Sequence, residues 1–522
     1  MPHEDSEKIN WSVLIVIIVG TFMAILDSSI VNVALPKMMT IFGVAASDIQ
    51  WILTAYMLTL GVVMPISGYL GDTFGYKRLY IAALVIFIIG STFCGLAWNV
   101  NSMVVARVIQ AIGGGVMQPL GMALIYQTFP RSKIGMVLGF WGIAAMAAPA
   151  IGPTLGGYLV EYANWRFIFF INVPIGILNV FLAGLILKET VLVKGKVFDW
   201  VGLISSSLGF FFLLLGINEG AKNGWGEPYI VGFFALAVIS LTVLIINELK
   251  HPEPMLDFSI FKEFLFTISV VIGSFLSIGM FGAIFLMPML LQNVLGLTAM
   301  KTGIIMFPAA LASGVMMPLG GRLFDRYGAR GVVLAGLALV TGTTFVMSGF
   351  NAETTFAAMT WWMVLRGAGM GLAMMPVTTV GMNTVPQHLI GRASALGNVI
   401  RQVAAAFGVA MLTTIMQHRQ VSYFSNLAQS VNFSSGDYLR LQGCLRDIAT
   451  TMGIGQGTMQ GWGLSLIAQK IVKLSMVSAI ADCFIIAGFM CLGAFFLSML
   501  LKGGKTAPAA SKAEEPVAVS FE

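Results

Sequence analysis

Gly68-Tyr69-Leu70-Gly71-Asp72-Thr73-Phe74-Gly75-Tyr76-Lys77 returns later in the chain as Gly321-Arg322-Leu323-Phe324-Asp325-Arg326-Tyr327-Gly328-Ala329-Arg330, an offset of 253 residues. Each copy joins two long apolar runs. In each, an acid closes the first run and a glycine follows within a few residues, which permits a tight turn because glycine accepts positive φ. Asp72 is placed to meet Lys77, Arg78 or the positive N-terminal end of a helix in the other half. A duplicated turn between duplicated runs means a duplicated bundle.

The runs are membrane spans. The 522 residues are 57% hydrophobic and only 10% charged, with a mean hydropathy of +0.89, whereas soluble domains carry about 25% charged residues. Apolar runs of about 18 residues or more recur along the chain, which argues for helices rather than the short alternating strands of a barrel. Fourteen spans are expected, at 11–35, 49–70, 78–98, 103–127, 134–160, 166–187, 199–218, 228–248, 264–291, 302–320, 331–350, 356–380, 392–416 and 475–501. Seventeen Lys and Arg fall in one set of alternate loops and termini, against four in the short loops of the other set. That bias puts both termini in the cytoplasm.

The offset leaves room beyond two six-span halves. The expected organisation is a cytoplasmic N-terminus 1–10, an N-terminal six-helix bundle 11–188, an inserted two-span linker 199–248, a C-terminal six-helix bundle 262–501 with an extracytoplasmic loop 418–473, and a disordered cytoplasmic tail 502–522. Within the long loop, Ser465 to Val472 has helical periodicity, which suggests a small amphipathic cap or docking element. The first span lacks a cleavage site and is expected to stay as an anchor.

Several chemistries find no support. The four cysteines and four histidines show no metal-ligand spacing, no phosphate-binding loop is present, and no catalytic constellation accompanies the repeat. The net charge of +6 sits mostly in loops, so it reads as an orientation signal rather than a nucleic-acid surface.

Charges inside the spans each need a reason, because a carboxylate or guanidinium at mid-bilayer costs about 2.5 to 3.5 kcal/mol on insertion scales. Asp27 lies sixteen residues past Trp11, about 24 Å along a helix, and Arg107 falls within about one turn of the same level. The two are expected to pair or communicate across the N-terminal bundle. Burial favours a neutral carboxyl and a nearby guanidinium a charged one, so changing their separation would take up or release a proton. Asp482 is a second acid candidate. Arg366, which occupies the place of Arg107 in the second half, and Arg401 complete the set. The 33 Met and 37 Phe residues suit an adaptable apolar cavity. In span 5, Ala148, Gly152 and Gly156 form a small stripe, and Pro149 and Pro153 should bend the helix.

Taken together, Asp27 to Pro36, Gly68 to Lys77, Arg107 with Gln110, Gly152-Pro153-Thr154-Leu155-Gly156-Gly157, and Trp165 to Gly176 resemble the fourteen-span drug:proton antiporters of the major facilitator superfamily, the EmrB/QacA type, and the EmrB branch most. The resemblance covers essentially the whole chain. It departs at Thr73 and Tyr76, where Arg is usual, at Ala111 in place of Gly, and at Ala148. It implies a secondary transporter rather than an enzyme, exporting hydrophobic or amphipathic toxic compounds across a cytoplasmic (inner) membrane, with the proton as coupling ion and no other cofactor. Asp27 and Arg107 would couple the proton. Gly68, Asp72, Gly75, Lys77, Gly321, Asp325, Arg326 and Gly328 would form the cytoplasmic gate, and Gly152, Pro153, Gly156 and Gly157 the antiporter helix. Asn32, Gln110, Arg366 and Arg401 are the candidates for the substrate cavity. A periplasmic adaptor and an outer-membrane channel are the partners this branch implies. A dedicated metabolite exporter or a lipid flippase of the same fold is the alternative; a membrane enzyme or receptor is disfavoured.

Overall fold

The computed structural model describes residues 10–130, 133–189, 198–430, 440, 442–444, 446–447 and 456–501, and its regular elements are all helical. In chain order the long helices are α1 (Trp11–Phe42), α2 (Trp51–Phe74), α3 (Tyr76–Leu96), α4 (Val100–Thr128), α5 (Ile134–Tyr162), α6 (Asn172–Ile186, preceded by a short turn Phe167–Phe170) and then the inserted pair α7 (Trp200–Asn223) and α8 (Pro228–Lys250). The second half follows as α9 (Phe264–Pro288), α10 (Ala299–Tyr327), α11 (Ala329–Met347), α12 (Phe356–Asn383), α13 (Ile390–Ser430) and α14 (Gln456–Ser498). Thirteen spans are long and apolar enough to cross a bilayer as they stand, and α5 raises the count to fourteen as a pair of segments bent by 41°. The bend falls between Pro149 and Ile151, where proline rings remove backbone donors and crowd the preceding turn.

Local chemistry explains the helix ends. Asn10 accepts from the Val13 N–H, Asn99 and Ser102 close a reciprocal capping box, and Asp199 accepts from the Gly202 N–H, which satisfies donors that a helix start would otherwise leave open. Gly75 and Gly328 turn the chain at φ 91° and 84°, the left-handed region that other residues avoid.

The halves meet along two seams, α5 against α10 and α2 against α13. At one end of each seam two glycine backbones touch: Gly68 faces Gly391 and Gly321 faces Gly135, with no room for a Cβ at any of the four. Small residues permit this close approach, which is how helices associate in lipid. The inserted pair lies on the α2–α13 seam, with Leu214 and Leu215 packed beside Leu58, and Leu244 in a cluster with Tyr69 and Leu396.

Two expectations change. The repeat is not a loop along its whole length: Gly68 to Phe74 and Gly321 to Tyr327 are the last turns of α2 and α10, and only the glycine that follows breaks the helix. The region 418–473 is also not a loop throughout, because α13 continues to Ser430 and α14 begins at Gln456. At 41 and 43 residues these helices run about 62 to 65 Å, roughly twice the hydrocarbon thickness, so both continue past it. The periodic stretch from Ser465 to Val472 is part of α14. The expected N-terminus 1–10, apart from Asn10, and the tail 502–522 lie outside the described residues.

Candidate functional site

Asp27 is fully enclosed in the N-terminal bundle. Its Oδ2 accepts from Nη1 of Arg107 on α4. Its Oδ1 accepts from Gln110 Nε2 at 2.8 Å and from Asn172 Nδ2 at 3.0 Å. Arg107 and Gln110, three residues apart, share a face of α4, and Arg107 also donates to Gln110 Oε1 at 2.7 Å. Asn172, the first residue of α6, donates to Ser91 Oγ at 3.1 Å, and Ser91 donates to the Phe169 carbonyl at 2.9 Å. The guanidinium lies 3.8 Å from the Tyr56 ring centre, a favourable cation–π placement, and the Tyr56 hydroxyl donates to the Ala24 carbonyl. Arg107 Nη2 has no hydrogen-bond partner among the described residues. A buried ion pair with its other lone pairs satisfied is tolerated, but losing one partner leaves an uncompensated charge and costs about 3 to 5 kcal/mol. The expected meeting of Asp27 and Arg107 is therefore a direct contact. The two amides offer donors to either charge state of the acid.

At the ends of the seams the two repeat copies do different things. Asp72 on α2 pairs with Arg392 on α13 at 3.3 Å, and the Tyr76 hydroxyl donates to its other oxygen at 2.8 Å. Arg392 stands in the first turn of α13, so Asp72 faces both a side-chain cation and the positive end of a helix. The expected partners are engaged elsewhere: Lys77 donates to the Gly184 carbonyl at 2.7 Å and Arg78 pairs with Glu189 at 3.3 Å. Asp325 on α10 lies against Gly135 and accepts from the backbone N–H of Met136 in the first turn of α5. Arg326 is exposed with its guanidinium over the neighbouring Tyr327 ring, not in the junction where it was expected.

The antiporter-helix candidates divide. Gly152 abuts Ser29 and Ile30, and Gly156 abuts Ile30 and Val33, so α1 lies directly on the small stripe; Ser29 Oγ donates to the Ala148 carbonyl at 3.3 Å. Gly157 faces open space and is not part of that contact.

The second half holds the cavity. A narrow pocket lies among α9, α12 and α13, lined by Met280, Met370, Met374, Ser277, Thr378 and Arg401, and an adjoining one is closed by Met122 of α4. Of the four cavity candidates only Arg401 lines it. Asn32 is exposed and donates back to the Ser28 and Ser29 carbonyls of its own helix. Gln110 belongs to the Asp27 cluster. Arg366 is buried, donating from Nη2 to the Gly279 carbonyl at 2.7 Å and from Nε to Thr344 Oγ1 at 3.3 Å. Asp482 also falls outside the cavity: it pairs with Arg419 at 3.3 Å and accepts from the Tyr423 hydroxyl at 3.1 Å. Arg419 is 29 residues from the start of α13, about 44 Å along it, so this acid ties α14 to α13 near one membrane surface. Among the described residues no group of three metal-ligating side chains gathers.

Residues 17–409 match the Major Facilitator Superfamily. The chain is 35% identical over 500 residues to an uncharacterized MFS-type transporter, YhcA, of Bacillus subtilis, covering 96% of this chain and 94% of that one. It is 30% identical over 474 residues to the multidrug export protein EmrB of Escherichia coli, covering 89% and 90%. It is also 30% identical over 495 residues to a tetracenomycin C resistance and export protein of Streptomyces glaucescens, covering 94% and 91%. Among solved structures, the human organic anion transporter MFSD10 superposes with a TM-score of 0.63 at 12% identity, covering 94% of this chain and all of that one. At that identity the likeness shows the fold alone.

The chain belongs to the major facilitator superfamily.

As a facilitator it is a multi-pass membrane transporter and not an enzyme, and its relatives include the multidrug and antibiotic exporters the motifs resemble. Two groups of residues in this facilitator escaped the sequence. Asn172, Ser91 and Tyr56 complete the Asp27 cluster, yet an Asn, a Ser or a Tyr in an apolar run is common; only the placement of Asn172 within the Trp165 to Gly176 motif hinted at a role. Arg392 counted as one more loop cation. The signal that marks it is its position directly after Gly391, the glycine that faces Gly68.

Proposed function

We propose that this facilitator is a proton-driven exporter of hydrophobic or amphipathic toxic compounds in a cytoplasmic membrane, working by alternating access with both termini in the cytoplasm. Asp27 carries the proton, Arg107 tunes its affinity by approaching or leaving, and the junctions at Gly68–Asp72–Gly75 and Gly321–Asp325–Gly328 close the cytoplasmic side. The observation that carries this reading is the sealed Asp27–Arg107 contact, an ion pair that is lost when the acid is protonated and its carboxylate charge is cancelled, set in a bundle that meets its partner through close glycine contacts. The names of the exporting relatives support the substrate class. One charge moved through about 150 mV supplies roughly 3.5 kcal/mol, enough for a few-hundred-fold gradient of a neutral compound. The continuations of α13 and α14 beyond the hydrocarbon are where a periplasmic adaptor leading to an outer-membrane channel would dock.

The test is transport in proteoliposomes with an imposed proton gradient, following both a panel of unrelated toxic compounds and the gradient itself. Substrate should dissipate the gradient, and Asp27→Asn should abolish that exchange while the protein remains monodisperse. Wild-type exchange by Asp27→Asn would remove the role from this acid, and transport of a single panel member would favour a dedicated exporter.

A further inference from the structure

We propose that Arg401 makes the cavity of the second half selective for anions: the site takes an amphipathic molecule bearing a carboxylate, sulfonate or phosphate, in preference to neutral or cationic compounds of the same shape. This rests on the reading that the cavity is the transport site, and it names the class of substrate. Arg401 lines both pockets and lies eleven residues beyond Ile390 in α13, about 16 Å along the helix and hence near the middle of a hydrocarbon layer about 30 Å thick. A cation at that depth is kept where it faces a partner or a cavity that needs it.

The three intramembrane arginines differ in what they touch. Arg107 meets the Asp27 carboxylate, and Arg366 meets the Gly279 carbonyl and Thr344. Arg401 has one hydrogen bond among the described residues, from Nη2 to Asn398 Oδ1 at 2.7 Å, one turn back on its own helix. A guanidinium carries five N–H donors and keeps its charge at any biological pH, so most of its donor capacity is left for whatever enters. None of the residues lining the pockets is acidic, and the acids nearest in kind are committed elsewhere, Asp27 to Arg107, Asp72 to Arg392 and Asp482 to Arg419. The rest of the lining, with Met280, Met370, Met374, Leu276 and Phe266, is soft and apolar, suited to an irregular hydrocarbon or aromatic body. A planar fork beside such a surface matches an oxyanion bidentately and repels a cation. Arg401 is therefore a specificity residue, distinct from the proton-coupling pair.

The experiment uses the full-length transporter in phosphatidylcholine nanodiscs and three probes on one scaffold: pyrenebutyrate, its methyl ester and the corresponding pyrenyl trimethylammonium, titrated by fluorescence anisotropy with no gradient present. Pyrenebutyrate should bind at least about tenfold more tightly than either relative, the size of one or two charge-assisted hydrogen bonds. Arg401→Gln should remove that preference while still binding the ester, and Arg401→Lys should keep part of it. Equal binding of the three probes by the wild type, or an undiminished preference in Arg401→Gln, overturns the proposal. The same chemistry belongs to a free weak acid and to an anionic lipid headgroup. Adding phosphatidylglycerol to the nanodiscs separates them: displacement of pyrenebutyrate assigns the anion to lipid, its absence to a free amphiphile, and both keep an anion at Arg401. Because binding is read without a gradient, Asp27→Asn protein that binds pyrenebutyrate as the wild type does, yet fails to move it, distinguishes a fault in coupling from a fault in recognition.

Discussion

Each half of this facilitator places a buried arginine on its fourth helix, and the two arginines meet different things. Arg107 reaches a carboxylate on α1; Arg366, in the equivalent place, reaches the Gly279 carbonyl on α9, a helix that contains no acid. The same scaffold therefore holds a charge that a proton can cancel in one half and a fixed dipole contact in the other. The cavity shows the opposite bias, lined almost wholly by the second half. The repeat ends differ in the same sense: Arg392 and Met136 both stand in the first turn of a helix facing a repeat acid, and only Arg392 adds a side-chain cation. Duplication supplied the frame, and single residues divided the labour.

The largest effect should come from Arg107→Met, which takes the cation from the enclosed Asp27 and leaves that acid with only two amides. A loss of about 3 to 5 kcal/mol is expected, read as thermal unfolding in detergent. Arg366→Met removes a donor from a carbonyl and a hydroxyl and should cost less, about 1 to 3 kcal/mol; equal losses would break the contrast between the halves. Arg392→Met gives the first junction the residue found at the second. It should cost about 1 kcal/mol and raise the labelling rate of a cysteine placed at Ser394, whose hydroxyl now donates to the Pro119 carbonyl across the α4–α13 contact. No change in labelling would mean that the glycine contacts alone hold that end shut. The smallest effect belongs to Gly157→Ala, which meets open space and should stay within about 0.5 kcal/mol of the wild type, whereas Gly152→Ala must push against Ser29 and should slow transport.

Much of this is legible in the sequence. The spans followed from runs matched to the bilayer, and the contact between Asp27 and Arg107 from counting turns to a common level, because a charge in lipid has few places to go. The parts that failed share a cause. Lys77 and Arg78 were as plausible for Asp72 as Arg392, since spacing along a chain does not reveal which helix of the other half lies opposite. Gln110 and Arg366 seemed available to a cavity because polarity within a span says that a residue faces protein, not which protein surface. The region 418–473 read as a loop because helices that leave the membrane lose the apolar signal while keeping their backbone bonds.

What the chain determined by itself is the number of crossings, the doubled bundle with its inserted pair, the positions of the turns, and the small set of ionised groups that lipid forces inward. These are local matters of hydrophobicity, φ at two glycines and the cost of charge in hydrocarbon. The tertiary structure decided the partners. Asn172 completing the Asp27 shell, Arg392 taking Asp72 and Arg401 facing a cavity without an acid all depend on which helix faces lie against one another, and packing settles that between residues up to 320 positions apart.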